Sequence, residues 1–492
     1  MFLVALDSTI ISTAIPQITA DFHSLTDVGW YGSAFFLTMA LFQHVWGTLY
    51  RHCPLKATFI TTIAALELGS LVCAVAHSST SLIVGRAITG MGGSGVMAGV
   101  YIIMGLSVAP ARRPAYMGVL GATFSIASFA GPLIGGAFTS ETTWRWCFWV
   151  NLPIGGVAVV IILLLFHPPA HARPDKVGVG ELLLLLDPVG FVLLLGALLC
   201  YLLAVQWGGV TKAWSDAAVI GTLVGFGVLT LLFIAKEMAW RRRPMFPGRL
   251  FRGNRLVGVS CAFVFVFPGC FFAILYFLPI YFQAIAGVSA AESGIRTLPL
   301  VLGVGILSML TGLILPLIGS RPLPLMLGAG ILTTIACGLL YTMDRGSPPA
   351  QWIGYQALAG IGVGMAIQMP VVVSQASVPL ADISTITAIT LFFQFLAGAI
   401  WVQGAQAVFD NFLVHALARH APGVSPQTVI NAGATGLSQT LDAATLSHVL
   451  DAYMDGLKAQ FLLDTVLAGV ATVIALGLGW RKLGLAPGMA VA

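Results

Sequence analysis

The sequence contains very little charge. Asp, Glu, Lys and Arg make up 8% of the 492 residues, whereas apolar residues make up 58% and the mean hydropathy is +0.96. A water-soluble protein of this size needs far more charge to cover its surface. The scarcity therefore excludes a soluble protein and predicts one that works in or across a lipid bilayer.

The chain also lacks the patterns that mark several other classes of protein. Its seven cysteines are odd in number and lie mostly in apolar stretches, which argues against a disulfide framework or C-x-x-C metal spacing. No Walker sequence G-x-x-x-x-G-K-[ST] occurs, so we expect no role for ATP. No paired acids, nucleophile–base set or His/Asp cluster lies in the apolar stretches. We therefore expect neither an enzyme nor a protein with a metal or cofactor.

What the sequence does contain is fourteen apolar runs, each about long enough to cross a membrane as a helix. The runs are continuously apolar rather than alternating, which favours helices over a β-barrel. Their approximate bounds are 1–20, 30–50, 57–76, 82–106, 115–138, 146–166, 187–208, 214–235, 256–283, 297–319, 323–343, 352–374, 383–408 and 462–480.

The runs fall into groups of six, two and six. This predicts an all-α membrane fold with an N-terminal six-helix bundle at 1–166, a linker with two inserted transmembrane helices at 167–255 and a C-terminal six-helix bundle at 256–492. Two bundles that rock against each other are the usual architecture for alternating access. The segment 409–461 is predicted to be a long outer loop, with a short helix at 445–461.

Lys and Arg are distributed unevenly between the two sides of this topology. Most of the 23 fall on the side that holds both chain ends, so the positive-inside rule predicts cytoplasmic termini. Topology thus accounts for the net charge of +5, and we expect no nucleic-acid partner. The densest cluster, Lys236–Arg255, either anchors the topology and links the bundles or binds anionic lipid head groups.

Among the charged side chains inside predicted spans, three stand out. A charge at the bilayer centre costs at least about 2.5–3.5 kcal/mol, so each should face a partner or a cavity. Asp7 binds a proton or a cationic substrate, or it is a hydrogen-bonded structural residue near a helix end. Arg86 keeps its charge, and it either tunes the proton affinity of a carboxylate or forms a fixed salt bridge to Asp7 or Glu67. Glu67 is the third proton-coupling candidate, with helix packing as the alternative.

Two glycine-rich stretches predict close helix packing. Gly90–Gly95 matches G-x-G-x-x-G, but a dinucleotide site needs a preceding strand, and this stretch lies within an apolar run. The fifth run contains Gly131, Pro132, Gly135 and Gly136. Proline interrupts the backbone hydrogen bonds and the glycines let a neighbouring helix approach, which suits a sliding or rocking interface.

Amide side chains recur through the second half of the chain. Because few charges are available, these amides and the aromatic side chains could line a pocket for a large, mostly apolar ligand. Hydrogen bonding between helices is the alternative. The substrate-cavity candidates are Gln283, Gln368, Gln375 and Gln394.

Several ordered motifs resemble those of the major facilitator superfamily, and more narrowly its fourteen-span drug:proton antiporters and fungal toxin-efflux pumps. They are LDSTIISTAIPQIT around Asp7, LIVGRAITGMGGSG around Arg86, GPLIGG from Gly131, WRWCFWVNLPIGG from Trp144 and YFLPIYFQAIAGVSAAESGIRTLPL from Tyr276. The resemblance covers nearly the whole chain. It implies the two-bundle fold of that family, proton coupling through Arg86 and an antiporter motif at Gly131–Gly136.

The chain departs from the family pattern in two places. The loop after the second run usually reads like G-x-L-a-D-R-x-G-R-K, whereas Arg51 here takes the position of the acid. The charge relay attributed to that loop is therefore not expected in its usual form. Only six residues precede Asp7, which indicates either a shortened gene model or a start that would impair packing around Asp7.

These features predict a proton-coupled exporter of a small, largely hydrophobic organic compound, such as a fungal secondary metabolite, toxin or drug, that works by alternating access. An importer or facilitator of a siderophore or nutrient is the alternative on the same fold, and a non-transporting membrane receptor is the third reading. We expect a monomer in the plasma membrane, or in a vacuolar or vesicle membrane, whose partners are the substrate, protons and lipid. The sequence does not identify the substrate.

Overall fold

The chain folds into helices. The computed structural model describes residues 1–22, 28–169, 174, 177–239, 245–430, 432, 437 and 441–484. No β-strand occurs among these residues. A helix satisfies its own backbone hydrogen bonds, which lipid cannot do. The prediction of an all-α membrane fold is confirmed.

Helical segments occupy every predicted apolar run. In chain order they are α1 (Phe2–Phe22), α2 (Val28–His52), α3 (Leu55–Ala74), α4 (Ser79–Ser107), α5 (Arg113–Glu141), α6 (Trp146–Trp149), α7 (Asn151–Leu165), α8 (Val179–Leu185), α9 (Pro188–Trp207), α10 (Ala217–Ala239), α11 (Arg255–Ile280), α12 (Ala290–Arg296), α13 (Leu298–Leu317), α14 (Leu323–Tyr341), α15 (Pro349–Ala366), α16 (Met369–Ala376), α17 (Ile383–His420) and α18 (Ala443–Leu476). Short 3-10 turns lie at Pro110–Arg112, Gly248–Leu250 and Leu380–Asp382, and a π-helical turn lies at Tyr281–Ile285.

Twelve helical segments of the described residues are long and apolar enough to cross a membrane. They coincide with the third to fourteenth predicted runs. The first two runs form α1 and α2, which are not among the twelve. The count of fourteen crossings therefore remains a prediction.

The segment 409–461, predicted to be a loop, is largely helical. α17 continues to His420, and α18 begins at Ala443. Polar residues end the apolar run but not the helix, because α17 and α18 pack together beyond it, where the rings of Phe409 and Tyr453 lie 5.5 Å apart. The predicted loop boundaries are therefore wrong, and the short helix expected at 445–461 is part of α18.

The helices pack into two groups. α1 to α7 form one, here called the N-terminal bundle, and α11 to α18 form the C-terminal bundle. Between them, α5 packs along α13 and α2 along α17. The inserted helix α9 lies against both α2 and α17, where Leu194 and Leu198 share an apolar cluster with Leu37 and Phe392. The domain boundaries at 166 and 255 remain predictions.

Small residues allow the two bundles to approach closely at one end. We call this end, where α2 finishes and α17 begins, the Arg51 face. A Cβ atom on Gly47 would lie 2.3 Å from the Cβ of Ala388, and one on Gly312 would lie 2.2 Å from the carbonyl oxygen of Pro114. Neither glycine has room for a side chain, so the bundles are tightly closed against each other beside this face.

Candidate functional site

A buried ion pair lies inside the N-terminal bundle. Nη1 of Arg86 donates to Oδ2 of Asp7 at 2.5 Å, and the two side chains are 1% and 0% exposed. Nε of Arg86 donates to the carbonyl oxygen of Tyr31 at 2.9 Å, and the guanidinium stacks 4.5 Å from the centre of the Phe35 ring. A guanidinium cannot lose its charge in a protein, so Asp7 supplies the opposite charge that its burial requires.

The second oxygen of Asp7 is satisfied by an amide. Nδ2 of Asn151 donates to Oδ1 of Asp7 and to Oγ of Ser70, both at 3.1 Å. Asn151 and Ser70 are completely buried. One carboxylate therefore joins α1, α3, α4 and α7, and any change in its protonation reaches four helices.

Local sequence features bring these helices together. A capping box, in which Ser78 and Ser81 bond each other's backbone N–H groups, begins α4 and places Arg86 two turns inside it. α3 and α4 approach closely because a Cβ on Gly69 would lie 2.3 Å from the backbone nitrogen of Thr89, and one on Gly92 would lie 2.2 Å from that of Leu66. The predicted role of the Gly90–Gly95 stretch in close packing agrees with this geometry.

Glu67 lies beside the ion pair but does not join it. Its carboxyl group rests against Gly155 of α7 and interacts electrostatically with Asp7. Within the described part of the chain, neither of its carboxyl oxygens has a hydrogen-bond partner. An ionised carboxylate in that position is costly, whereas a protonated one is much less so. Glu67 therefore lies next to the ion pair without a hydrogen bond to any described residue.

The fifth-run motif packs against both bundles. A Cβ on Gly131 would lie 2.1 Å from Oγ1 of Thr9, so this glycine brings α5 against α1 close to Asp7. Pro132 is inside α5, the carbonyl oxygen of Gly135 accepts from Thr139, and a Cβ on Gly136 would meet open space. α5 also contacts the other bundle at Pro132, whose Cβ would lie 3.7 Å from a Cβ on Gly294 of α12, and earlier in the helix, where a Cβ on Gly118 or Gly121 would strike Met309 or Ser308 of α13.

Two of the four candidate amides bridge the bundles. The Tyr101 hydroxyl of α4 donates to Oε1 of Gln368 at 2.7 Å, and Nε2 of Gln375 donates to the carbonyl oxygen of Tyr101 at 3.2 Å. Gln394 is buried in α17 with an unbonded oxygen among the described residues, and Gln283 lies partly exposed in the π-helical turn after α11. Gln368 and Gln375 therefore link the two bundles in this conformation.

Three charges lock the Arg51 face. Arg249 of the linker donates to both oxygens of Asp382 at 2.6 Å, and Arg51 donates to Oδ1 of the same carboxylate at 3.2 Å. The hydrogen bonds that Arg249 donates to Asp382 raise the pKa of Arg249 above its usual value. Arg51, which stands where the family motif has an acid, thus pairs with an acid from the other bundle.

Replacing Asp382 by asparagine should loosen this lock. Two guanidinium groups would lose a buried charged acceptor, so we expect the free energy of unfolding to fall by about 1–3 kcal/mol. The matched control is Asp344→Asn, because Asp344 also binds a cation, Lys458, but is 72% exposed. Surface pairs contribute about 0–1 kcal/mol. Thermal unfolding of the two purified variants measures these losses of stability. Equal melting temperatures would contradict a stabilising role for the Arg51–Asp382–Arg249 cluster.

The sequence analysis did not single out three residues that make these buried contacts. Asn151 lies in the segment WRWCFWVNLPIGG, where an amide in an apolar run signals a buried hydrogen bond. Tyr101 and Asp382 carry no comparable signal, because their partners come from the other bundle. Such pairings depend on how the bundles dock.

Comparisons with known proteins agree with this architecture. The family model described as Major Facilitator Superfamily matches residues 1–402. The chain is 44% identical over 471 residues to the MFS-type transporter thnB of Trichoderma harzianum, covering 96% of this chain and 81% of that protein. It is 43% identical over 484 residues to the probable efflux pump gsfJ of Penicillium aethiopicum, with coverage of 98% and 86%. The efflux pump aflT of Aspergillus parasiticus is 40% identical over 484 residues, with coverage of 98% and 94%.

Solved structures share the fold at much lower identity. A bacterial homologue of the human lysosomal transporter Spinster superposes with a TM-score of 0.62 at 15% identity, covering 98% of this chain and 96% of that one. The proton:xylose symporter XylE gives 0.61 at 12% identity, with coverage of 96% and 92%. These likenesses establish the fold alone, whereas the family model and the fungal relatives establish ancestry. The chain, a transporter rather than an enzyme, belongs to the major facilitator superfamily.

Proposed function

We propose that the protein exports a small, largely apolar organic compound by alternating access, in exchange for protons. Export is supported by fungal relatives named as efflux pumps at 40–43% identity over nearly the whole chain. The cargo class is supported by a C-terminal bundle rich in buried aromatic and amide side chains. A fungal secondary metabolite or toxin fits that chemistry.

Proton coupling rests on one observation, the buried Asp7–Arg86 pair with the unpartnered Glu67 beside it. While Glu67 holds a proton, Arg86 stays with Asp7. When Glu67 loses that proton, a second carboxylate competes for the same guanidinium, and the pairing of Arg86 with Asp7 weakens. Because Asp7 also binds Asn151 of α7, the change reaches the helices that must move between the two open states.

The proposed topology follows from the distribution of charge. The chain would cross the plasma membrane fourteen times with both ends in the cytoplasm, and the Arg51 face would then be cytoplasmic. The conformation described here, closed at that face, would be an outward-directed state of a monomer. The passage of each proton inward would draw on membrane potential at about 2.3 kcal/mol per charge per 100 mV.

Export is tested with a lipophilic, cationic fluorescent dye in yeast cells that lack their own efflux pumps. Cells that produce the protein should accumulate less rhodamine 6G than cells with an empty vector, because an outward pump lowers the internal concentration. A protonophore should remove the difference, since it dissipates the proton gradient. Higher accumulation would identify an importer, and a difference that survives the protonophore would contradict proton coupling.

A further inference from the structure

A second acid is buried in the C-terminal bundle without a cation. Asp464 of α18 is completely buried, as is Gln460 one turn earlier. Nε2 of Gln460 donates to Oδ2 of Asp464, whereas Oδ1 has no hydrogen-bond partner among the described residues. Asp7 and Asp464 are thus equally buried, but only Asp7 has an arginine.

The groups that face Asp464 do not compensate a negative charge. α11 contributes Cys270 and α14 contributes Cys337, and both are buried thiols. The acid of α17, Asp410, lies beside Tyr453 nearer the start of α18, where Gln406 binds it. Within the described part of the chain, Asp464 makes no ion pair. A carboxylate in apolar surroundings without a cation is far costlier than the neutral acid, which needs only hydrogen bonds.

The helix opposite Asp464 connects this position to the seam between the bundles. On α11, Pro268 and Gly269 directly precede Cys270, and a proline inside a helix removes a backbone hydrogen bond and permits bending. Phe272 follows two residues later, and the centre of its ring lies 6.2 Å from the centre of the Phe36 ring of the N-terminal bundle. A rocking motion between the bundles changes the contact at Phe272, and the bend that Pro268 permits lets α11 shift relative to α18, against which it packs.

We propose that Asp464 is a second proton-binding site, which holds a proton in this conformation and releases it to water when α11 moves away from α18. In that step the O–H bond of the acid breaks, the proton passes to water and the carboxylate remains, hydrated. The site deepens the proton coupling put forward above and rests on it. It gives the C-terminal bundle its own proton-binding acid, so that each bundle responds to pH.

Infrared spectroscopy of the purified protein tests whether the proton is present. At neutral pH the wild type should show the carbonyl stretch of a protonated carboxylic acid, and Asp464→Asn should remove one such band. The matched control is Asp410→Asn, which changes the same Gln-x-x-x-Asp pair at the less buried end of α17 and should leave that band in place. A spectrum that Asp464→Asn does not change would overturn the proposal.

The proton-to-substrate ratio in proteoliposomes tests whether the proton moves. With rhodamine 6G as the probe, Asp464→Asn should lower the ratio by one proton, and Asp410→Asn should not. A wild type that moves no protons contradicts both this site and the proposed function, whereas a coupled wild type whose ratio Asp464→Asn leaves unchanged contradicts only the site.

A chemical label provides a readout that does not depend on any variant folding. Dicyclohexylcarbodiimide, an apolar reagent, modifies protonated carboxyl groups in apolar surroundings. Peptide mass spectrometry of the treated wild type should find Asp464 modified, and raising the pH should reduce the modification. An Asp464 that stays unmodified at every pH while Glu67 is labelled would overturn the proposal.

Discussion

Asp7→Asn is expected to abolish pH-driven transport and to destabilise the N-terminal bundle. The substitution keeps the shape of the side chain but leaves Arg86 buried at 1% exposure without an opposite charge. Breaking a buried ion pair from one side costs about 3–5 kcal/mol, because the remaining charge is uncompensated. Thermal unfolding and dye efflux from proteoliposomes under a pH gradient measure the two effects.

Two further variants separate the structural role of Asp7 from its part in coupling. Asp21→Asn is the matched control on the same helix, because Asp21 is 45% exposed and lies 3.8 Å from Arg145. It should change stability by less than about 1 kcal/mol. The double variant Asp7→Asn/Arg86→Gln removes both charges and should recover stability but not pH-driven transport. If Asp7→Asn alone still transports in response to pH, Asp7 is not part of the coupling.

Gly92→Ala is expected to prevent α3 and α4 from packing. The added Cβ would lie 2.2 Å from the backbone nitrogen of Leu66 and 2.6 Å from its Cα. Backbone atoms cannot rotate aside as a flexible side chain can, so α3 itself must shift, together with the adjacent Glu67. Overpacking of this kind costs about 1–3 kcal/mol, and more where the backbone is rigid. We expect a large loss of folded protein, measured by size-exclusion chromatography of detergent extracts.

The neighbouring glycine provides the control for Gly92. A Cβ on Gly93 would lie 3.4 Å from Cγ1 of Val4 and 3.6 Å from Cδ1 of Leu66, which are ordinary contacts with side chains. Gly93→Ala should therefore accumulate and melt like the wild type. If both substitutions reduce the amount of folded protein equally, the contact with α3 does not explain the effect. The helix would then simply not tolerate alanine at either position.

The positions of the helices were predictable, but their ends were less so. Long apolar runs locate helices because lipid leaves the backbone no other partner. α17 and α18 extend well beyond their runs, since outside the apolar layer a helix continues wherever it finds packing. Hydropathy does not detect a helix stabilised by another helix, and the loop predicted at 409–461 is wrong for that reason.

The candidate site was predictable in part. The cost of charge in lipid identified Asp7, Arg86 and Glu67, and the salt bridge between Asp7 and Arg86 was one of the alternatives it allowed. The same reasoning applied to Asp464, which lies within the run 462–480 but was not recognised beside its polar flank. For Gln368 and Gln375 the sequence allowed a cavity or hydrogen bonds between helices, and it did not identify their partner, because Tyr101 comes from the opposite bundle.

The sequence by itself determined that the protein belongs in a membrane, that it is helical and which charges lie inside it, because transfer of each residue into lipid depends mainly on that residue and its neighbours in the chain. Only the tertiary structure decided which buried acid has a cation and which does not. It also decided that Arg51 and Arg249 share Asp382. Pairing depends on distances between helices far apart in the chain, and those distances are set by the docking of whole surfaces.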